Sequence, residues 1–291
     1  MKKLEILYAD SYSENLTNQE LNGSIHSVFK KTVNIITETE KIYTLAVPSV
    51  FDGPQLIKVP VDSWLFLEPY ISKKVTYQNN CLNLAGELEI LLEDAVVKST
   101  FKTLIFKKIS VETLNKVKEI HLDLEKRLDT VGFYRQTFFT DIEKITYEFL
   151  ITGSKLLTKG ILDGGKETIR LGITKLIGLG HGLTPSGDDF LTGFCLILNS
   201  SEAIDKDVIA IFNEALKDEM KQTNLISQNQ LKLAIKRQAL KPIIQLINQL
   251  NEEPNSPQIE ETLLEIMSIG SSSGSDILFG ILEGIKVISK N

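Results

Sequence analysis

A change of hydrophobic period about a third of the way along the chain constrains its fold more than any other feature. Between residues 23 and about 105, short runs rich in β-branched and aromatic residues (VNIITET, KIYTLAV, LIKVPV, LNLAGELEILL and TFKTLIFKK) are broken by turn residues at Asp52-Gly53-Pro54 and Asn79-Asn80. Short runs of this composition bounded by turn residues are strand signals, so a small sheet or barrel is expected. From about residue 111 the apolar residues fall at helical spacing, first at Leu114, Val117, Ile120, Leu124 and Leu128, then at Ile142, Tyr147, Leu150, Leu156 and Leu157. Further helices are predicted over 166–176, 189–200, 202–218, 225–249, 257–267 and 276–288, with an exposed break at NEEPNSP, Asn251 to Pro257. The expected fold is α+β: a β-rich domain over 1–110, then a mainly α-helical domain over 111–291, the boundary falling near 106–112.

Composition narrows the function classes. With 291 residues, 42% hydrophobic and 24% charged, the chain can bury one or two cores and has the balance of an ordinary globular protein. A formal charge of −6 opposes a phosphate backbone, so nucleic-acid binding is not expected. The basic stretch KLAIKRQALK reads as a solvent-facing helix side. MKKLEILYAD has no apolar run before Asp10, and no stretch is long and apolar enough to span a bilayer; a cytoplasmic protein without membrane contact is expected. Cys81 and Cys195 lie far apart and read as free thiols, Cys195 as a small buried hydrophobe in GFCLIL. The three histidines form neither HExxH nor HxH, which disfavours a histidine-rich metalloenzyme.

The segment richest in possible chemistry is GLGHGLTPSGDDFLTG, Gly178 to Gly193, set between two apolar runs. A helix starting near Ser186 or Gly187 would put Thr184 or Ser186 at its cap and direct first-turn NH groups into the loop, where they could hold an anion. Gly180, Gly182 and Gly187 would let a ligand approach the backbone, and Pro185 would fix φ without losing a donor. Absence of GK[ST] excludes a P-loop, and Gly178-Leu-Gly180 lacks the strand and acidic partner of a dinucleotide fingerprint.

A second copy follows 87 residues later: PSGDDFLTG, from Pro185, aligns without gaps on SSGSDILFG, from Ser272. The alignment pairs Ser186 with Ser273, Gly187 with Gly274, Asp189 with Asp276 and Gly193 with Gly280. Two such helix starts could converge on one cleft, where backbone amides meet a small anion while Asp188, Asp189 and Asp276 hold Mg²⁺ or orient an NH-bearing group. The same residues could instead be helix caps and close-packing glycines, so both alternatives stand. His181 could donate to an oxyanion or shuttle a proton, or make only a loop hydrogen bond. His26 reads as a strand or domain-contact residue and His121 as a surface one. Only four of the 32 basic residues are arginine, and Arg135, in VGFYRQTFF, is the best placed to fork a carboxylate.

GLGHGLTPSGDDFLTG, GSSSGSDILFG and the amino-terminal GSIHSVFKKTVNI together resemble the DUF2877 family over about residues 20–287. Some of its members are AllH-like subunits of a bacterial oxamate carbamoyltransferase of anaerobic allantoin breakdown, working with two other kinds of subunit. The resemblance implies the reaction of oxalurate with phosphate to give oxamate and carbamoyl phosphate. It points to Gly180, Gly182, Thr184, Pro185, Ser186, Gly187, Asp188 and Asp189, then Ser273, Gly274 and Asp276, with no covalent nucleophile required. Serine at position 275, where the first copy has Asp188, departs from a symmetric metal site. The expected function is therefore binding of a small anionic metabolite such as carbamoyl phosphate, phosphate or oxalurate within a carbamoyltransferase. Its rivals are a noncatalytic ligand-binding or assembly subunit and a metal-dependent hydrolase or phosphotransferase.

Overall fold

The computed structural model describes residues 5–16, 20–98, 104–107, 109–128, 133, 137–138, 140–252 and 256–290. It divides into two compact units, residues 1–102 and 103–291.

The first unit is a mixed sheet curled into a half-barrel. Its strands are β1 (Glu5–Tyr8), β2 (Ser11–Ser13), β3 (Leu21–Val28), β4 (Thr32–Thr37), β5 (Ile42–Ala46), β6 (Leu56–Lys58), β7 (Lys74–Gln78), β8 (Cys81–Leu84), β9 (Leu88–Leu91) and β10 (Val96–Lys98). They lie in the order β1-β9-β8-β7-β3-β4-β5-β6-β2-β10. Hairpins join β3 to β4, β7 to β8 and β8 to β9, whereas β1–β9, β5–β6 and β2–β10 are parallel. Alternation along β4, β7, β8 and β9 turns Val33, Ile35, Val75, Tyr77, Leu82, Leu84, Leu88 and Ile90 onto a core that also buries Trp64. Pairing of β3 with β4 slips between Ile25 and Ser27, which places His26 at a bulge beside the Ser27 hydroxyl. The run TFKTLIFKK does not extend this sheet in its described part. Residues 104–107 belong to the second unit, where Phe106 bridges Ser201 and Asn251 caps the flanking backbone; the rest of the run lies outside the described residues.

The second unit is helical: α1 (Val111–Leu128), α2 (Asp141–Asp163), α3 (Lys166–Leu176), α4 (Ser186–Ser200), α5 (Lys206–Glu219), α6 (Leu225–Ile235), α7 (Lys241–Asn251), α8 (Ser256–Met267) and α9 (Ser273–Lys290). A capping box of Thr140 and Glu143 opens α2, and Gly164 in the left-handed region closes it. The single helix expected over 225–249 is two. Arg237 takes φ +60° after α6, and Pro242 sits in the first turn of α7, where a proline loses no helical hydrogen bond.

Helix α4 is buried on nearly every side, as its unbroken apolar run FLTGFCLIL requires, and lies against α9. The two approach so closely that a Cβ on Gly193 would stand 2.0 Å from the Ile277 carbonyl oxygen, and one on Gly280 would stand 2.1 Å from that of Phe190. These contacts are reciprocal, because residues 190 and 193 correspond to 277 and 280 in the 87-residue repeat. Each helix also backs onto its predecessor: Gly187 faces the Leu176 carbonyl at the end of α3, and Gly274 that of Ile266 at the end of α8. The repeat is therefore an internal pseudo-twofold arrangement of helix pairs.

Candidate functional site

The same pseudo-symmetry brings the two glycine-rich loops together. The Thr184 and Ser273 hydroxyls share a hydrogen bond of 2.8 Å between the loop before α4 and the start of α9. Beneath them the carboxyls of Asp189 and Asp276, both 0% exposed, project from the first turns of α4 and α9. The surroundings cross over: hydroxyls of Ser273 and Thr184 moderate Asp189, and those of Ser186 and Ser272 moderate Asp276.

The electrostatics follow from burial. Desolvation holds the Asp189 carboxyl well above the usual carboxylate range, and the neighbouring charge of Asp276 adds to the effect. Desolvation likewise pushes Asp276 up to about 7, against the Phe133 amide that donates to its Oδ1 at 2.9 Å. Both oxygens of Asp189 and Oδ2 of Asp276 are buried, and beyond these neighbouring hydroxyls no described group donates to them. Such acceptors are expensive to leave unpaired, which marks them as places for a proton or a donor.

Glu125 and His121 on α1 extend the acidic floor. Glu125 raises Asp276 by its charge, and its Oε1 pairs with Nε2 of His121 at 2.9 Å. His121 is 0% and Glu125 6% exposed, which corrects the surface role expected for His121. Their signal was present in the sequence, since His121 and Glu125 are one turn apart beside Leu114, Val117 and Leu124 on the helix face that is buried.

Asp188 has a different task from Asp189. Its Oδ1 accepts from the Gly178 amide at 2.7 Å and its Oδ2 from the Thr223 hydroxyl, so it latches the glycine-rich turn to the start of α4 and to the segment before α6. Burial raises its carboxyl and these donors oppose the rise. Among the described residues no three histidine, cysteine, aspartate or glutamate side chains gather as a metal-binding group.

Neither Thr184 nor Ser186 caps α4. Pro185 occupies the cap position, and the loop returns its own carbonyls to the first turn: Leu179 to the Gly187 amide, Pro185 to those of Asp188 and Asp189. Gly180, at φ +126°, lies over the Ser186 amide, where a Cβ would stand 2.6 Å from the nitrogen. The equivalent turn before α9 is filled by Ile269 bonding to Gly274. Gly182 and His181 are exposed at the loop tip. Arg135 lies outside the described residues; Arg127 and Arg170 form exposed ion pairs with Glu260 and Asp218. Burial pushes the Cys195 thiol far up, as suits a core residue, while Cys81 is half-buried in β8. No described helix is long and apolar enough to cross a membrane.

Residues 176–285 match the family described as oxamate carbamoyltransferase subunit AllH, a range that contains both loops and both buried aspartates. Residues 5–100, the curled sheet, match the AllH family N-terminal domain. No solved structure matches the chain. With the two matches covering most of its length, this protein belongs to the AllH family of oxamate carbamoyltransferase subunits.

Proposed function

We propose that the helical unit holds the carbamoyl-bearing anion of a carbamoyltransferase reaction, oxalurate or carbamoyl phosphate, where the GLTPSGDD and SSGSD loops meet. The observation that carries this reading is the Thr184–Ser273 hydroxyl pair seated over two fully buried aspartates from two helix starts. Half-buried hydroxyls of Thr184, Ser186 and Ser273 supply donors for an oxygen that gains charge during acyl transfer, and Asp189 and Asp276 supply groups that orient an NH₂. Transfer of a carbamoyl group between oxalurate and phosphate needs positioning and charge stabilisation rather than a protein nucleophile, and the buried, unreactive Cys195 fits that economy. His181, exposed at the loop tip, is placed to meet a ligand or another subunit.

Complete burial of both acids favours a division of labour with the other subunits, in which this chain holds ligand and a partner completes the site. Calorimetric titration of the full chain with carbamoyl phosphate, with and without Mg²⁺, tests the reading. Saturable binding is expected, weakened about tenfold or more when Thr184 and Ser273 are replaced by Val and Ala, as loss of hydrogen bonds to an ionic ligand requires. A folded chain that binds neither carbamoyl phosphate nor oxalurate, alone or with its partner subunits, refutes it.

A further inference from the structure

We propose that this site recognises the uncharged primary-amide end of its ligand, rather than a phosphate, through the paired carboxyls of Asp189 and Asp276, with Glu125 as a positioning residue behind them. The inference rests on the site proposed above and specifies the chemistry it reads.

Donors for a phosphate are scarce. Five of the helix-start amides that could cradle an anion already bond within the protein: Gly187 to Leu179, Asp188 and Asp189 to Pro185, Gly274 to Ile269 and Asp276 to Ser272. Acceptors are in surplus. Beyond the neighbouring Thr184, Ser186, Ser272 and Ser273 hydroxyls, no described group donates to either oxygen of Asp189, to Oδ2 of Asp276 or to Oε2 of Glu125, all of them buried. A phosphate dianion is acceptor-rich and would set a double negative charge near that of Glu125, whereas an NH₂ brings two donors and no charge. A carboxyl that keeps its proton presents one donor beside one acceptor, the complement of a primary amide, and burial favours that form for Asp189 and Asp276. The Thr184, Ser186 and Ser273 hydroxyls at the half-buried rim can then donate to the amide carbonyl. Glu125, held by His121 at 2.9 Å, faces Asp276 and opposes its ionisation.

The test compares oxamate with oxalate, which replaces the amide by a carboxylate on the same skeleton, and with inorganic phosphate, by calorimetry on the full chain. Oxamate is expected to bind about tenfold or more tightly than oxalate, the loss of one to two hydrogen bonds. Asp189→Asn, which keeps a donor and an acceptor, is expected to hold oxamate within about threefold of the parent, and Asp189→Leu to lose about tenfold or more. Glu125→Gln with His121 intact should weaken oxamate while leaving phosphate unchanged. Oxalate or phosphate binding as tightly as oxamate, with Asp189→Leu without effect, overturns this inference and leaves the proposed binding site standing. Failure of the folded parent to bind oxamate, oxalurate, carbamoyl phosphate or phosphate removes both.

Discussion

Replacing Asp276 by Asn is expected to stabilise the protein above neutral pH and to change little in acid. Asp276 is fully buried, faces Glu125 on α1, itself paired with His121, and Asp189 on α4, and has a carboxyl pushed up to about 7 from an ordinary 3.8. The folded state therefore binds a proton that the unfolded chain has released. Between those values the folded state holds more protons, so stability falls as pH rises from about 4 and levels off once pH passes about 7. Each pH unit of the gap is about 1.4 kcal/mol, and the whole gap is about 4 kcal/mol. Asn keeps the acceptor for the Phe133 amide, offers NH groups towards the Glu125 carboxylate and carries no charge to desolvate. The gain over the parent should therefore be near zero below pH 4 and approach about 4 kcal/mol at pH 8. Urea unfolding at several pH values, followed by far-ultraviolet circular dichroism, reports on the helical unit, while fluorescence of the only tryptophan, Trp64, reports on the sheet. A gain that is the same at pH 4 and pH 8, or absent at both, would show that Asp276 does not carry a proton in the folded state.

Three further substitutions probe the frame of the site. Gly193→Ala or Gly280→Ala places a methyl about 2 Å from a carbonyl oxygen of the facing helix, and the clash outweighs the better helix propensity of alanine. Each should lose about 2 kcal/mol or more in urea unfolding, and an unchanged midpoint would mean that α4 and α9 are not in that contact. Asp188→Ala removes the buried carboxylate that accepts from the Gly178 amide and the Thr223 hydroxyl, a loss of about 1–3 kcal/mol. Hydrogen exchange at Gly178 should speed up while that at the core of α9 stays slow; equal effects on both would assign Asp188 to global stability alone.

Much of the architecture was legible because it rests on period. Strands alternating about Val33 and Ile35 and helices stepping through Leu114, Val117 and Leu124 each leave their own spacing in the sequence. What lay beyond period was harder to see. Strands β1, β2 and β10 are three or four residues long and owe their existence to partners distant in sequence, so no local pattern marks them. The break between α6 and α7 is set by Arg237 in the left-handed region, a conformation that arginine does not advertise. His121 and Glu125 were hidden for the opposite reason: polar residues on an amphipathic helix read as surface until their phase is compared with Leu114 and Leu124.

The repeat explains both what the site shares and where it departs from symmetry. Matching residues 186, 187, 189 and 193 to 273, 274, 276 and 280 states only that two helix starts use similar residues. Reciprocity converts that similarity into a site, because Gly193 and Gly280 let the backbones meet and thereby set each serine against the other helix's aspartate. Among the four differences between the two copies, that of Asp188 against Ser275 follows from loop length. The turn from Leu179 to Gly187 is three residues longer than that from Ile269 to Gly274, and Asp188 ties the longer turn to Gly178 and Thr223. Ser275 has no such turn to hold, and its hydroxyl is buried without a partner among the described residues. The asymmetry leaves one fixed long loop, carrying His181 and Leu183 outward, over paired aspartates of which only Asp276 has Glu125 and the Phe133 amide beside it. At the binding site proposed above, a ligand would meet an aspartate from each helix and a rim that differs from side to side, so an asymmetric molecule such as oxalurate would be held in one orientation.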